Sequence, residues 1–254
     1  MTVKEIYDYF ERVIPRSLSC EWDNDGLMCS PDLSAQVRKV VLALDITKDT
    51  VGYAKSVNAD MIISHHPLIF RPLKTVNEEA FTAAKIIDFL KNGISAMSFH
   101  TRLDALEGGV NDVLADIIGL SDVDKICSDG ECIARIGTVN ECDIDSFARF
   151  VKKMLGCDFV CVIDGGKKVN RVAVCGGDGK SYLAAARLRG ADTYVTGSMS
   201  YNAMLDAYDM GINVIEAGHY FTEVPVLKKI ARFVKEADPE ISILYYGSNA
   251  VKTY

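Results

Sequence analysis

Two stretches of the 254-residue sequence repeat the same order of strand-like and helix-like segments. In each stretch, three short apolar runs rich in β-branched residues alternate with amphipathic patterns of helical period. The apolar runs are residues 37–45, 59–64 and 94–99 in the first stretch, and 169–177, 191–197 and 212–218 in the second. This alternation predicts an α/β fold with mainly parallel sheets covered by helices on both faces.

The two stretches also match at the level of single residues. Residues 58–60 (NAD) correspond to 190–192 (GAD), and the pattern His-x3-carboxylate occurs at 100–104 and again at 219–223. Chance similarity between two α/β segments is the alternative, but the matched histidine and carboxylate favour an internal duplication of a β-α-β-α-β unit. We therefore predict one α/β unit at 1–124 and a second at 125–254, leaving open whether the C-terminal segment packs on the first.

Local signals at the ends of elements refine this prediction. Thr2 and Glu5 have the spacing of a capping box before an apolar stripe, and this helix is expected to end near Pro15. Between the two copies, a helix over 143–155 is flanked by segments that predict extra strands, ECIARIGTVNE and DFVCVI. A final helix is expected over 221–237, with Glu223 near its positive N-terminal end.

Charge and composition argue against a nucleic-acid binder, a membrane protein and a secreted protein. The formal net charge is −7, which argues against a general nucleic-acid binder with a basic face. No apolar run is long enough to cross a bilayer, and the start lacks the features of a secretion signal, so we expect a cytoplasmic protein without membrane association. The eight cysteines include no CxxC pair and are expected to be mostly reduced, structural thiols.

All four histidines of the chain follow predicted strands directly. His65 and His66 follow the second strand of the first copy, His100 follows its third, and His219 follows the third strand of the second copy. Open α/β sheets bind ligands at the carboxyl ends of their strands. One such histidine is most often a packing residue, but four of four favour a functional site.

The residue types at these strand ends predict a metal centre with two ions. Three or four imidazoles with the carboxylates of Asp104 and Glu223 exceed the tetrahedral shell of structural zinc and suit a two-metal site. Neighbours in an extended chain point to opposite sides, so His65 and His66 suit two metals, or one metal at a bend that Pro67 would favour. Nitrogen and oxygen ligands without sulfur fit Zn, Mn, Fe, Co or Ni.

Four motifs carry a resemblance to a known family. They are EWDNDGL (21–27), HHPLIF (65–70), SFHTRLDALEGGVND (98–112) and EAGHYFTE (216–223). Together they resemble the GTP cyclohydrolase I type 2 homologues, also called the NIF-three-like family, in its short form without an inserted domain. The resemblance covers nearly the whole chain and implies two intertwined, similar α/β domains, a toroidal homohexamer and dinuclear metal sites that face inward.

The resemblance also implies site residues. The metal ligands of the family fall on His65, His66, Asp104, His219 and Glu223, and these would hold two divalent transition metal ions per chain. His100 falls on a site histidine that either ligates metal or moves protons, and we take it as the catalytic candidate. Many members carry an acid and histidines after the strand at 191–197, where this sequence has Ser198, Ser200 and Tyr201.

Three hypotheses for function follow. The first is a metal-dependent hydrolase, similar to a type 2 GTP cyclohydrolase, that acts on a nucleotide or another small phosphorylated or cyclic substrate. The second is a metal-handling or delivery protein, and the third is a metal-stabilised scaffold that binds a protein without turnover. The only tryptophan, Trp22, either packs on its own domain or serves the site or an interface.

Overall fold

The computed structural model describes residues 1–252, which form two β-sheets with helices connecting their strands. The strands are β1 (Gly26–Cys29), β2 (Lys39–Ala43), β3 (Met61–Ser64), β4 (Ser95–Ser98), β5 (Ser121–Ser128), β6 (Glu131–Cys142), β7 (Cys161–Ile163), β8 (Val169–Asp178), β9 (Thr193–Ser198), β10 (Asn213–Glu216) and β11 (Ser242–Tyr245). The helices are α1 (Val3–Val13), α2 (Lys48–Ser56), α3 (Phe81–Lys91), α4 (Thr101–Ala105), α5 (Val110–Ile117), α6 (Ile144–Leu155), α7 (Leu183–Leu188), α8 (Tyr201–Asp209), α9 (His219–Glu223) and α10 (Leu227–Ala237). The predicted α/β fold class is confirmed.

The described chain divides into two compact units. The first comprises Met1–Leu103 and Leu227–Lys252, and the second comprises Asp104–Val226. The chain therefore leaves the first unit within α4 and returns to it at the start of α10. The domain boundary expected between residues 124 and 125 remains a prediction, and residues 253–254 of its second part lie outside the described residues.

The first unit is built on a five-stranded sheet with the order β1-β4-β3-β2-β11. Its strands β11, β2, β3 and β4 are parallel, and β1 is antiparallel to β4. Every residue of β3 and β4 is buried, as expected for central strands that are covered on both faces. One side chain cluster of this unit joins Val41, Ile62 and Ala96 of the sheet to Phe89 of α3.

The second unit is built on a six-stranded sheet with the order β5-β6-β8-β9-β10-β7. Its centre, β8-β9-β10, is parallel, whereas β5, β6 and β7 join it by antiparallel pairing. The two extra strands predicted from ECIARIGTVNE and DFVCVI are β6 and β7. The predicted helix over 143–155 is α6, which Asp143 caps through the N–H of Ser146.

Backbone detail repeats between the two units, which supports the internal duplication. The Asp60 carboxylate accepts hydrogen bonds from the backbone N–H groups of residues 38 and 39, just before and at the start of β2. The Asp192 carboxylate accepts the corresponding bonds from residues 170 and 171 in β8. In both units, the carboxylate just before one parallel strand (β3 or β9) thus accepts backbone hydrogen bonds from the beginning of its parallel neighbour (β2 or β8).

Two sequence expectations have clear outcomes. The Thr2 and Glu5 side chains form the predicted capping box of α1, which ends before Pro15. Six cysteines are reduced in the described chain, as expected, but Cys127 and Cys132 form a disulfide across the β5–β6 turn. That pair was missed because its partners oppose each other only once the hairpin is formed. Among residues 1–252, the helices are all too short or too polar to span a membrane.

Candidate metal centre

His65 and His66 lie immediately after β3, where the chain turns sharply. The Ser64 hydroxyl donates to the His66 carbonyl oxygen over 2.8 Å, and the His66 N–H donates to the Leu44 carbonyl oxygen over 2.9 Å. The two imidazole centroids lie only 5.0 Å apart. Side chains of neighbours in a regular strand would point to opposite faces, so the closeness of the rings shows that the bend expected before Pro67 is present.

His100, which follows β4, joins these two residues in a group that we call the histidine cluster (His65, His66 and His100). Its ring centroid lies 5.3 Å from that of His65 and 5.7 Å from that of His66. One potential ligand atom from each of the three side chains lies within 4.8 Å of the other two. The strands β3 and β4 are parallel neighbours, so their carboxyl ends bring the three imidazoles together.

Hydrogen bonding fixes the tautomer of His65. Its ring is fully buried, and its Nδ1 lies 2.9 Å from the Phe99 carbonyl oxygen. A carbonyl oxygen only accepts hydrogen bonds, so Nδ1 carries the proton and Nε2 of the neutral ring carries the lone pair. That is the state in which a histidine ligates a metal through Nε2.

For His66 and His100, the hydrogen-bond acceptor of Nδ1 is a carboxylate. His66 Nδ1 lies 2.7 Å from Asp45 Oδ1, and His100 Nδ1 lies 2.9 Å from Asp23 Oδ1. An ionised carboxylate is an acceptor, so both Nδ1 atoms are donors and both Nε2 lone pairs are directed away from these bonds. Each imidazole of the histidine cluster thus has the outer hydrogen bond that orients metal-ligating histidines.

Asp23 is itself firmly held. Its side chain is buried, and its Oδ2 accepts bonds from the Thr101 N–H (3.0 Å) and the Thr101 hydroxyl (2.6 Å). Burial by itself would raise the pKa of this carboxyl, but the bonds from His100 and Thr101 outweigh burial and lower the pKa to about 2. The carboxylate therefore stays charged under any physiological condition and keeps the His100 ring in one orientation.

The second unit carries the remaining candidate ligands. His219 and Glu223 stand one turn apart on α9, with Nε2 and Oε2 separated by 3.1 Å. Glu223 is the last residue of α9 and does not lie near the start of a longer helix, so that expectation was wrong. Pro225, which has no N–H to donate, lies in the 3-10 turn Val224–Val226 between α9 and α10.

Glycines allow α9 to lie against the ends of β8 and β9. Gly177 has φ +62°, and a Cβ built on it would come 2.2 Å from Glu223 Oε1. A Cβ on Gly197 would come 2.5 Å from the Thr222 hydroxyl oxygen and 2.8 Å from His219 Cα. Because any side chain at these two positions would occupy the space of α9, both glycines are required for the placement of His219 and Glu223.

Asp104 is also buried in the second unit, with 9% of its surface exposed. Burial raises the pKa of the Cys175 thiol, and the charges of Asp104 and Glu223 raise it further. The two carboxylates that are candidate metal ligands therefore act on Cys175 and disfavour its thiolate form in the metal-free protein.

Ser198, Ser200 and Tyr201, where the sequence departs from the family pattern, lie at and just after the end of β9. The Ser198 hydroxyl oxygen lies 3.5 Å from His219 Nδ1, next to the candidate ligand. Ser200 caps α8, and the adjacent Tyr201 is largely exposed. Ser198 is therefore the one of the three whose side chain approaches a candidate ligand.

The structure groups the candidate site residues by unit and adds two positioning residues that sequence reasoning missed. His65, His66 and His100 meet in the first unit, and His219 and Glu223 meet in the second, which also contains Asp104. Asp23 and Asp45, which orient two of the histidines, were not identified. Asp45 ends the strand pattern at 37–45 and Asp23 lies in EWDNDGL, so both stood in segments that sequence analysis had singled out.

Comparison with known proteins agrees with the motifs. The chain is 34% identical over 244 residues to a Clostridium perfringens protein named GTP cyclohydrolase 1 type 2 homolog, covering 93% of this chain and 92% of that one. A Clostridium acetobutylicum protein of the same name is 33% identical, with 89% and 86% covered. A crystal structure of a Bacillus cereus protein related to NIF3 superposes with a TM-score of 0.88 at 25% identity, covering 100% of this chain and 99% of that one. The sequence profile of the Duf34/NIF3 (NGG1p interacting factor 3) family matches residues 1–249, and the chain belongs to this family.

Proposed function

We propose that the protein is a metal-dependent hydrolase with a dinuclear centre, whose ligands are His65, His66, Asp104, His219 and Glu223. The observation that carries the proposal is the hydrogen bonding of the histidine cluster. Each Nδ1 is engaged by an acceptor, which would leave Nε2 of His65 and His66 to ligate a metal and Nε2 of His100 to exchange a proton. A buried packing histidine also bonds its Nδ1, but three such rings with potential ligand atoms within 4.8 Å of one another are the arrangement that a metal ion requires.

The donor set fits divalent transition metals. Imidazole nitrogen and carboxylate oxygen suit Zn, Fe, Mn, Co and Ni. When bound, such ions would supply Lewis acidity and lower the pKa of a coordinated water molecule. The protein would contribute oriented ligands, since Asp45 and the Phe99 carbonyl oxygen each fix one ring of the histidine cluster.

His100 is the residue we assign to proton transfer. Its Nδ1–H donates to Asp23, which would stabilise the imidazolium formed when Nε2 takes up a proton. About a fifth of the His100 side chain (18%) is exposed, so a substrate can approach the ring. A buried carboxylate, an imidazole and a nearby reacting group form a common arrangement for general acid–base catalysis.

The names of the relatives support a substrate class. Two of them bear the name GTP cyclohydrolase 1 type 2 homolog, and a nucleotide is an anionic substrate with which metal ions can interact directly. We therefore propose a nucleotide, or another small phosphorylated or cyclic compound, as the substrate. We also propose, from the family resemblance, that the chain assembles into a toroidal homohexamer in the cytoplasm.

Metal analysis followed by a hydrolysis screen tests the proposal. Purified protein reloaded with each candidate metal should bind about two ions per chain and hydrolyse at least one nucleotide or phosphoester. Asp104→Ala should lose metal and turnover together, whereas the exposed Asp116→Ala, on α5, should keep both. Only trace metal after reloading would refute the centre. Two bound ions that exchange quickly without any turnover would favour the metal-delivery hypothesis instead.

Light scattering tests the assembly separately. A homohexamer would have about six times the chain mass of 27.9 kDa at micromolar concentration. A monomer under these conditions would refute the proposed assembly without affecting the metal centre of each chain.

A further inference from the structure

Two large aromatic rings are exposed beside the histidine cluster. Trp22 is 58% exposed and Phe70 is 44% exposed, although large apolar side chains are normally covered. Their ring centroids lie 6.1 Å apart, and each lies 6.1 Å from the centroid of His100. All three contacts are edge-to-face, so a contiguous aromatic surface extends from the candidate catalytic histidine into solvent.

The loop that carries Trp22 is anchored on both sides of the exposed ring. Before it, the Cys20 N–H donates to the Thr101 hydroxyl oxygen over 3.0 Å. After it, the Asp23 carboxylate accepts from His100 and Thr101. An exposed ring on a backbone that is held this firmly has lost much of its conformational freedom already, so binding a ligand costs little further entropy.

Phe70 is tied to the same loop. The Asn24 side chain amide donates a hydrogen bond to the Ile69 carbonyl oxygen, which links the segment after Trp22 to the segment that carries Phe70. The chain segments that carry Trp22 and Phe70 are thus joined to each other beside His100. Two exposed cations, Arg71 and Lys74, follow in the same loop of a chain whose net charge is −7.

We infer that Trp22 and Phe70 form an aromatic platform that binds the planar heteroaromatic ring of an anionic substrate next to His100. Because the Trp22 and Phe70 rings are nearly perpendicular, the ligand ring would stack on the face of one and contact the edge of the other. Aromatic side chains bind nucleobases by stacking because every base presents a π face. In the proposed complex, the exposed cations Arg71 and Lys74, which follow Phe70 closely in the chain, would provide positive charge for a phosphate of the same ligand. This inference rests on the proposed function, whose substrate it narrows to compounds with a heteroaromatic ring, such as purine nucleotides.

The single tryptophan makes the platform directly observable, because all tryptophan emission of the chain comes from Trp22. Guanosine 5′-monophosphate, added to the metal-loaded protein, should quench this emission along a saturable curve. Ribose 5-phosphate carries the same phosphate without the ring and should leave the emission unchanged. N-acetyltryptophanamide at matched absorbance corrects for light absorbed by the nucleotide.

Variants of the aromatic residues test whether the nucleotide binds on the Trp22 and Phe70 rings or quenches Trp22 emission from another place. Phe70→Ala should weaken binding of guanosine 5′-monophosphate about tenfold. Phe81→Ala removes another exposed ring, 72% accessible at the start of α3, and should bind as the wild type does. Trp22→Phe keeps an aromatic face, so calorimetry should show weaker but measurable binding, and Trp22→Ala should show a greater loss.

The results distinguish a failure of the aromatic platform from a failure of the proposed function. No quenching in a protein that holds two metals and hydrolyses a compound without an aromatic ring would overturn the platform and leave the proposed function intact. A shift of Trp22 emission on dilution, in step with the mass from light scattering and without any response to the nucleotide, would show that the rings cover a second copy and would also overturn the platform. A protein that binds no metal refutes the proposed function, and the same titration of the metal-free protein still decides whether Trp22 and Phe70 bind the nucleotide ring.

Discussion

Asp45 Oδ1 lies 2.7 Å from Nδ1 of His66, and this bond joins the bend after β2 to the histidine that follows the parallel strand β3. If His66 ligates a metal, Asp45 orients the ring and increases the basicity of the ligating nitrogen. Asp45→Asn keeps the size of the side chain but removes its charge. We expect it to weaken metal binding about 10–100-fold in competition with a chelator.

The matched control for this variant is Asp49→Asn, because Asp49 is an exposed acid in the first turn of α2. It changes the net charge by the same amount and should leave metal affinity unchanged. Equal losses in the two variants would show that the effect is one of overall charge and not of the bond to His66.

Gly177→Ala should disturb the second unit through Glu223. An alanine there must adopt φ +62°, and its Cβ would come 2.2 Å from Glu223 Oε1, so the carboxylate must move. The left-handed backbone alone costs about 1–2 kcal/mol, and displacement of Glu223 should add to that loss and reduce metal binding. Urea unfolding of the metal-free protein and a metal titration measure the two effects.

Gly156→Ala separates backbone strain from the steric effect. Gly156 has φ +67° at the end of α6, with no atom within 4 Å of a built Cβ. This variant should lose about 1–2 kcal/mol of stability and bind metal as the wild type does. If Gly177→Ala behaves in the same way, the close approach to Glu223 is relieved without consequence, and the glycine has no role in the site.

The role of His100 is open to a direct test, since it either ligates metal or transfers protons. If it transfers protons, His100→Gln should keep about two bound ions and lower turnover about 10²–10⁴-fold. Asp23→Asn should lower turnover less than His100→Gln does, because the imidazole remains and only its orientation and charge stabilisation weaken. Loss of one ion from His100→Gln would identify His100 as a ligand instead.

The sequence predicted most of the fold because its signals are local. The period of apolar residues identified β2, β3 and β4, and the spacing of Thr2 and Glu5 marked the start of α1. It also placed the histidines at strand ends, where parallel pairing then brought three of them together. Features that depend on one strand or one helix end were therefore predictable.

Features that depend on long-range pairing were not predictable. Asp23 precedes His100 by 77 residues, and an acid in a polar loop is by default a solvated one.

The break between α9 and α10 was missed because Pro225 also suits the first turn of a helix. The Cys127–Cys132 disulfide had a usable signal, however, since Asp129 and Gly130 form the turn between β5 and β6 with φ +51° and +85°.

The Cys127–Cys132 disulfide predicts the number of thiols that can be titrated. Denatured, unreduced protein should titrate six thiols, and reduction should raise the number to the eight cysteines of the sequence. Replacing Cys127 and Cys132 together by alanine should lower the free energy of unfolding by about 2 kcal/mol, the value expected for so short a loop. Cys161→Ala, at an exposed free cysteine, should leave stability nearly unchanged. Eight titratable thiols before reduction would contradict the pairing.

Asp60 and Asp192 allow the duplication to be tested by energetics. Each carboxylate accepts backbone hydrogen bonds from the start of the first parallel strand of its unit, with the shortest N···O distance 2.7 Å in both. Hydrogen bonds to a charged group contribute about 1.5–3 kcal/mol, so Asp60→Ala and Asp192→Ala should each lower the free energy of unfolding by about that amount. Asp116→Ala, an exposed acid on α5, serves as the control and should change it little. Chemical unfolding of the metal-free protein provides the measurement. Similar losses would show that the two residues perform one inherited task, whereas a loss confined to one of them would show that the other unit no longer depends on it.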